Sequence, residues 1–212
     1  MTNFFYKVND IEYEVEVIYK RIKNVHYRFK DNKFVVTCNR WTTKHFIVKG
    51  LDKFAEKLIK TSVKESPIND KYIYLFGYKY DLSYPGKISI SNYPEIIYNS
   101  LDELKKKLKP IFTKIITERV KYYESLMNLP SYKVGVREMK SRYGSNSRYT
   151  KHLNFAFSLI HYSMPIIDSV VVHELAHILV YDHSKKFYDV VYKYCPNYDA
   201  YRKMLIKGIY HD

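Results

Sequence analysis

The segment His173-Glu174-Leu175-Ala176-His177, with a further histidine at His183, constrains this chain more than any other feature. Residues four apart share one face of a helix, so His173 and His177 present two imidazoles side by side. Two imidazoles so placed can hold one zinc ion at about 2.0–2.1 Å each. Glu174 projects beside them, where a carboxylate can take a proton from a water on the metal. A third protein ligand leaves one coordination position open, which separates a catalytic site from a structural one. The flanking runs Ile166-Ile167-Asp168-Ser169-Val170-Val171-Val172 and Ile178-Leu179-Val180 are apolar enough for a buried helix. Titratable groups inside such a helix need partners, and one metal ion satisfies all three.

The third ligand follows less directly. No glutamate comes after Glu174, which closes the option of a carboxylate ligand from a glutamate on a later helix. The remaining downstream carboxylates are Asp182, Asp189, Asp199 and Asp212. His183 stands at the spacing of the last histidine in HExxHxxGxxH enzymes, but Val180 occupies the glycine position. The chain must therefore turn differently, at Tyr181-Asp182. The order of preference is His183, then Asp182, then a residue from elsewhere such as His161. Ser184 is placed to cap the next helix.

At 212 residues, the chain can bury a real core as one compact unit or two small ones. No apolar run reaches the ~18–20 residues of a membrane span, and the start MTNFFYKVND has no secretory pattern. Cys38 and Cys195 read as free buried thiols of a reducing, cytoplasmic compartment. The formal charge of +14 favours polyanionic partners, whether nucleotide or nucleic acid. The abundance of Lys, Tyr, Ile and Asn also fits a coding bias.

The first half reads as strands. Glu12–Val17 alternates polar and apolar, His26–Phe29 and Phe34–Cys38 flank a turn at Asp31-Asn32-Lys33, and residues 71–76 and 78–82 form a second hairpin around Gly77. Residues 87–98 suggest a further strand pair, and Leu51 to about Val63 follows a helical pattern. Composition shifts near residue 100. Ser100 caps a long helix with Glu103 in its first turn, and Pro110 predicts a kink or two helices. Residues 132–140 read as a strand, 141–150 as a polar basic loop, and 152–157 as a strand. Pro165 starts the motif helix. Closing helices are expected over 184–195 and 197–207. The reading is α+β, with a β-rich domain over 1–100 and a hydrolase domain over 101–212.

Several motifs in the second half resemble one family. Arg137-Glu138-Met139-Lys140-Ser141-Arg142-Tyr143-Gly144-Ser145 is similar to the RxMKSRWGS segment of the YgjP-like metal-dependent hydrolases, also called the DUF45 or M48-related group. Leu153-Asn154, the run Val170–His177, and Asp182-His183-Ser184-Lys185-Lys186-Phe187 fit further signatures of that family, in order. Tyr143 stands for the usual Trp and Asn146 for a common Cys. The resemblance implies a zincin-like fold, a small sheet beside the metal-bearing helix. It implies His173, His177 and His183 as zinc ligands and Glu174 as general base. It also implies a metallopeptidase type of hydrolase, with nucleoside-triphosphate pyrophosphatase activity (UTP preferred) as the alternative.

Either reaction builds negative charge on oxygen, and Arg142 and Lys140 are the candidate cations beside it. Three readings follow: a zinc hydrolase of protein or peptide, a zinc hydrolase of nucleotides, and a non-enzymatic nucleic-acid-binding protein with structural zinc. The third leaves Glu174 without a purpose.

Overall fold

The computed structural model describes residues 3–62 and 66–211, so the predicted helix end at Val63 and the carboxylate of Asp212 lie outside the described residues. The chain divides into two compact units, residues 1–65 and 66–212.

In the N-terminal unit, β1 (Phe4–Val8) and β2 (Ile11–Tyr19) form a hairpin that the sequence reading did not contain. Its turn places Asn9 and Asp10 at positive φ, which short polar side chains tolerate. The hairpin of β3 (His26–Lys30) and β4 (Lys33–Cys38) turns at Asp31-Asn32, as expected, with both residues at positive φ. The strand order is β1-β2-β4-β3, and β2 pairs with β4 in parallel, Val15 opposite Phe34 and Val17 opposite Val36. Alternate residues Val15, Val17, Phe34, Val36 and Cys38 face inward. Helix α1 (Lys44–Ser62) covers them with Ile47, Leu51 and Ala55. The helix starts at Lys44, about two turns before the predicted Leu51, and Gly50 lies inside it. A β-carbon at Gly50 would overlap the Tyr27 ring, so the missing side chain lets helix and strand approach.

In the C-terminal unit, β5 (Tyr72–Leu75) pairs with β6 (Tyr78–Asp81), and β7 (Gly86–Ile88) with β8 (Ile96–Tyr98). The shift near residue 100 marks the start of α2 (Leu101–Leu126) and not the division between units. Ile73, Leu75, Ile88, Ile96 and Tyr98 bury into one core with Leu104, Leu108, Phe112, Ile116 and Val120 of α2. Those hairpins cannot hide their apolar faces without that helix, so they belong to its unit. Each fully buried Leu, Ile or Phe contributes roughly 1.5–3 kcal/mol relative to exposure.

The Ser100 side chain caps α2 by accepting the Glu103 amide at 3.2 Å. Of the two outcomes expected at Pro110, a kink or two helices, the second does not occur: α2 runs on as one helix. Pro110 lies on the exposed face, where the carbonyl it leaves without an amide can bind water.

The strands β9 (Lys133–Arg137), β10 (Gly144–Ser147) and β11 (His152–Ala156) form a sheet of order β10-β11-β9. The predicted loop over 141–150 therefore contains a strand. A single 3-10 turn (Phe157–His161) leads into α3 (Met164–Leu179), followed by α4 (Lys185–Tyr194) and α5 (Tyr198–Lys207). The α+β expectation holds, with a small sheet beside the motif helix. Both cysteines are free and buried. No helix among the described residues is long and apolar enough to cross a membrane.

Helices α2 and α3 are pinned by a bidentate pair. Arg119 donates from Nε and Nη2 to the two Asp168 oxygens at 2.7 and 2.6 Å, and the Tyr123 hydroxyl adds a bond at 3.3 Å. Asp168 is partly buried and the guanidinium is its main partner. Arg119→Ala is expected to lower unfolding stability by about 2 kcal/mol, since a charge-assisted, partly buried pair is lost. Arg119→Lys should recover only part of that, because an ammonium cannot present the planar fork. Urea unfolding checks both, and wild-type stability in Arg119→Ala would contradict the assignment.

Candidate metal centre

Helix α3 is buried on almost every side. Ile166, Ile167, Val171 and Leu175 enter the core shared with α2, while Val172 and Ala176 pack with Phe187, Val191 and Tyr198 of α4 and α5. The strip between these two faces carries His173, Glu174 and His177. The helix ends at Val180, whose amide bonds the Ala176 carbonyl. The following turn at Tyr181-Asp182 brings His183 back over the strip, with Ser184 at the N-cap position of α4.

The ligand atoms of His173, His177 and His183 all lie within 4.8 Å of one another. The Nε2 atoms of His173 and His183 are 3.3 Å apart. Phe187, fully buried, supports all three rings at centroid distances of 5.0, 4.5 and 4.8 Å. Burial, with the neighbouring histidines and Arg202 adding to it, pushes the His173 pKa down to about 3. His177 is lowered too, by burial and then by His183. A neutral imidazole offers a lone pair. Nitrogens converging on one point satisfy each other poorly, whereas one divalent cation satisfies them all. The donor set fits such an ion, and it is the only such His/Cys/Asp/Glu cluster among the described residues.

The other nitrogen of His173 is also engaged. Its Nδ1 lies 2.8 Å from the Tyr198 hydroxyl. Burial pushes the Tyr198 pKa up to about 12, so the phenol stays protonated at neutral pH. With the proton on Nδ1 donated to the phenol oxygen, Nε2 keeps its lone pair toward the centre. Tyr198 was not legible as a site residue, because it reaches His173 from a separate helix.

Glu174 is 6% exposed, and burial raises its pKa to about 7, with Arg142 opposing the shift. Its main-chain carbonyl accepts a bond from Asn146 Nδ2 at 2.8 Å. Gly144 of β10 lies against its side chain, where a β-carbon would come within 2.5 Å of Oε1. Only a glycine lets the strand pass so close to the carboxylate.

Strand β10 is the edge of its sheet and lines the cleft over the histidines, which encloses about 580 Å³. The Ala156 amide bonds the Tyr143 carbonyl at 2.8 Å. By antiparallel alternation, Ser145 with Asn154 and Ser147 with His152 are the next bonded pairs. The amide and carbonyl of Gly144 and Asn146 therefore point away from β11.

Of the predicted cations, Arg142 lines this cleft and also a recess of about 320 Å³ shared with Tyr198 and Arg202. Lys140 is exposed and lines neither. Arg148, not singled out from sequence, lines the cleft beside Tyr181, with its guanidinium 5.7 Å from that ring's centre. Asp182 lines the cleft but is outside the converging trio. His161 is buried elsewhere in the core, with Nδ1 2.7 Å from the Tyr74 carbonyl.

The model of the YgjP-like metallopeptidase domain matches residues 39–207. No curated protein matches the chain. Among solved structures, the metallopeptidase zymogen jannalysin of Methanocaldococcus jannaschii is similar at 21% identity, with a TM-score of 0.41, over 44% of this chain and 96% of that one. The metallopeptidase zymogen abylysin of Pyrococcus abyssi is similar at 16% identity, with a TM-score of 0.42, over 46% of this chain and 97% of that one. With a family match spanning most of its length, and the HExxH helix inside that match, this chain belongs to the YgjP-like metallopeptidase family of metal-dependent hydrolases.

Proposed function

We propose that the chain is a zinc-dependent peptidase in which His173, His177 and His183 hold the metal, Glu174 is the general base and Arg142 the cation beside the developing charge. The observation that carries this reading is the open edge of β10 beside the three imidazoles and Glu174. An extended peptide can add to such an edge through main-chain bonds to Gly144 and Asn146, which would hold a scissile amide over the centre.

When bound, zinc supplies a Lewis acid and lowers the pKa of a water toward ~7. Glu174 takes a proton from the attacking water at its carboxylate and passes it to the leaving amine nitrogen. A carboxyl group titrating near neutrality is matched to both halves of that transfer. Arg142 offsets the negative charge that builds on the former carbonyl oxygen. Tyr198 fixes the His173 ring in the tautomer that presents Nε2.

A second reading, hydrolysis of nucleotides at the same centre, draws on Arg142 and Arg148 in one cleft, since planar guanidinium groups suit phosphate. No glycine-rich phosphate loop accompanies them in the sequence.

His183→Ala is expected to abolish stoichiometric zinc binding, read by metal analysis after dialysis; full retention would remove His183 from the ligand set. Glu174→Gln should keep the metal and lose at least roughly 100-fold in turnover. An active variant would contradict the base assignment. Tyr198→Phe should weaken zinc affinity by about 10-fold or more, read by chelator competition, while leaving the unfolding midpoint of the metal-free protein close to wild type.

To separate the substrates, the zinc-loaded protein is incubated with an unstructured protein and with a panel of nucleoside triphosphates, with Glu174→Gln as control. Peptide products absent from the control are expected. Pyrophosphate release that disappears in the control, with the protein left intact, would replace the peptidase reading by the nucleotide one.

A further inference from the structure

The N-terminal unit carries a cationic pocket of its own, at the point where its two parallel strands end together. The pairing of β2 with β4 runs to Tyr19 opposite Cys38, and the Lys20 amide extends it by one bond to the Cys38 carbonyl at 2.9 Å. Beyond that point the chains part. Lys20 and Arg21 leave on one side, and Asn39, Arg40 and Trp41 on the other, around a pocket of about 430 Å³.

The backbone of both segments is held. The Ile22 amide bonds the Lys20 carbonyl at 3.0 Å, the Trp41 amide bonds Asn39 Oδ1 at 3.3 Å, and the Thr42 amide bonds the Asn39 carbonyl at 2.9 Å. The pocket is lined by three cations and no carboxylate. None of the three has an ion-pair partner among the described residues.

Trp41 is the one tryptophan of the chain, and it is 84% exposed. Indole is among the side chains with most to gain from burial, and no ring or cation packs on it among the described residues. Tyr19, also exposed, stands at the other strand end. Residues 1–65 hold 14 Lys and Arg against 8 Asp and Glu, so the surrounding field favours an anion.

We propose that this pocket binds single-stranded nucleic acid, with a base stacked on Trp41 and the flanking phosphates held by Lys20, Arg21 and Arg40. The chemistry selects that class. A repeating anion whose flat π-faces are free to stack uses both halves of the site, and paired bases would hide those faces. A lipid surface would use the indole and the cations too. The site, however, is a concave, Asn39-containing pocket, not an apolar wedge. The inference is independent of the metal centre and of its substrate.

The sole tryptophan makes the test direct. Full-length protein is titrated with oligothymidylate of roughly a dozen nucleotides, a length within the site size of single-strand binders, with excitation at the red edge of the indole band. Quenching of Trp41 emission that is reversed by added salt is expected. By anisotropy of a labelled oligonucleotide, Trp41→Ala should bind about 10-fold more weakly or worse. Arg21→Ala and Arg40→Ala should each lower the log–log salt slope by about 0.7. Circular dichroism confirms that these exposed substitutions leave the fold intact.

Three results would overturn the proposal. One is oligonucleotide binding that neither changes Trp41 emission nor weakens in Trp41→Ala. Another is equal quenching by heparin, a polyanion without bases. The last is a blue shift with phosphatidylglycerol vesicles and no response to oligonucleotide, which would assign the site to a membrane surface.

Discussion

The cost of taking titratable groups out of water governs the C-terminal unit. Helix α3 is buried on both flanks, yet it carries two imidazoles and a carboxylate. An isolated charge in such a place costs several kcal/mol, so each group must become neutral or find a partner. Burial drives His173 and His177 toward the neutral form and Glu174 toward the protonated one. The same desolvation that would destabilise an ordinary helix here leaves imidazoles with free lone pairs and a carboxyl group titrating near neutrality. Hydrolytic metal chemistry requires those two properties together.

The rest of the unit serves that constraint. Arg119 and Asp168 fix α3 against α2, Phe187 forms a floor under the three rings, and Tyr198 reaches across to orient His173. Gly144 lets β10 run beside Glu174, and Asn146 ties the strand to the Glu174 carbonyl. The Glu174 carboxylate and a row of unpaired main-chain groups thus share one cleft. The proposed peptidase reading draws on that combination, since an extended chain can pair with such an edge.

Much of the centre was legible because its signal is local. The i, i+4 spacing of His173 and His177 and the return of His183 after a short turn are properties of neighbouring residues. What was missed depends on contacts distant in sequence. Gly-Ser-Asn-Ser over 144–147 has no apolar alternation, and it becomes a strand only by pairing with β11. Tyr198 meets His173 through the packing of α5 on α3. The division of the chain was displaced for a similar reason. Residues 66–100 read as strands and were grouped with the earlier strands, yet their apolar faces bury against α2. Pro110 was read as a kink or a division into two helices, whereas its exposed position lets α2 continue as one helix.

X-ray absorption at the zinc edge of the zinc-loaded protein tests the central claim most directly. Three imidazole nitrogens at about 2.0–2.1 Å with one oxygen donor from water is the expected shell. Fewer than three imidazoles, or a sulfur at about 2.3 Å, would show that His173, His177 and His183 are not the ligand set and would contradict the account of the site.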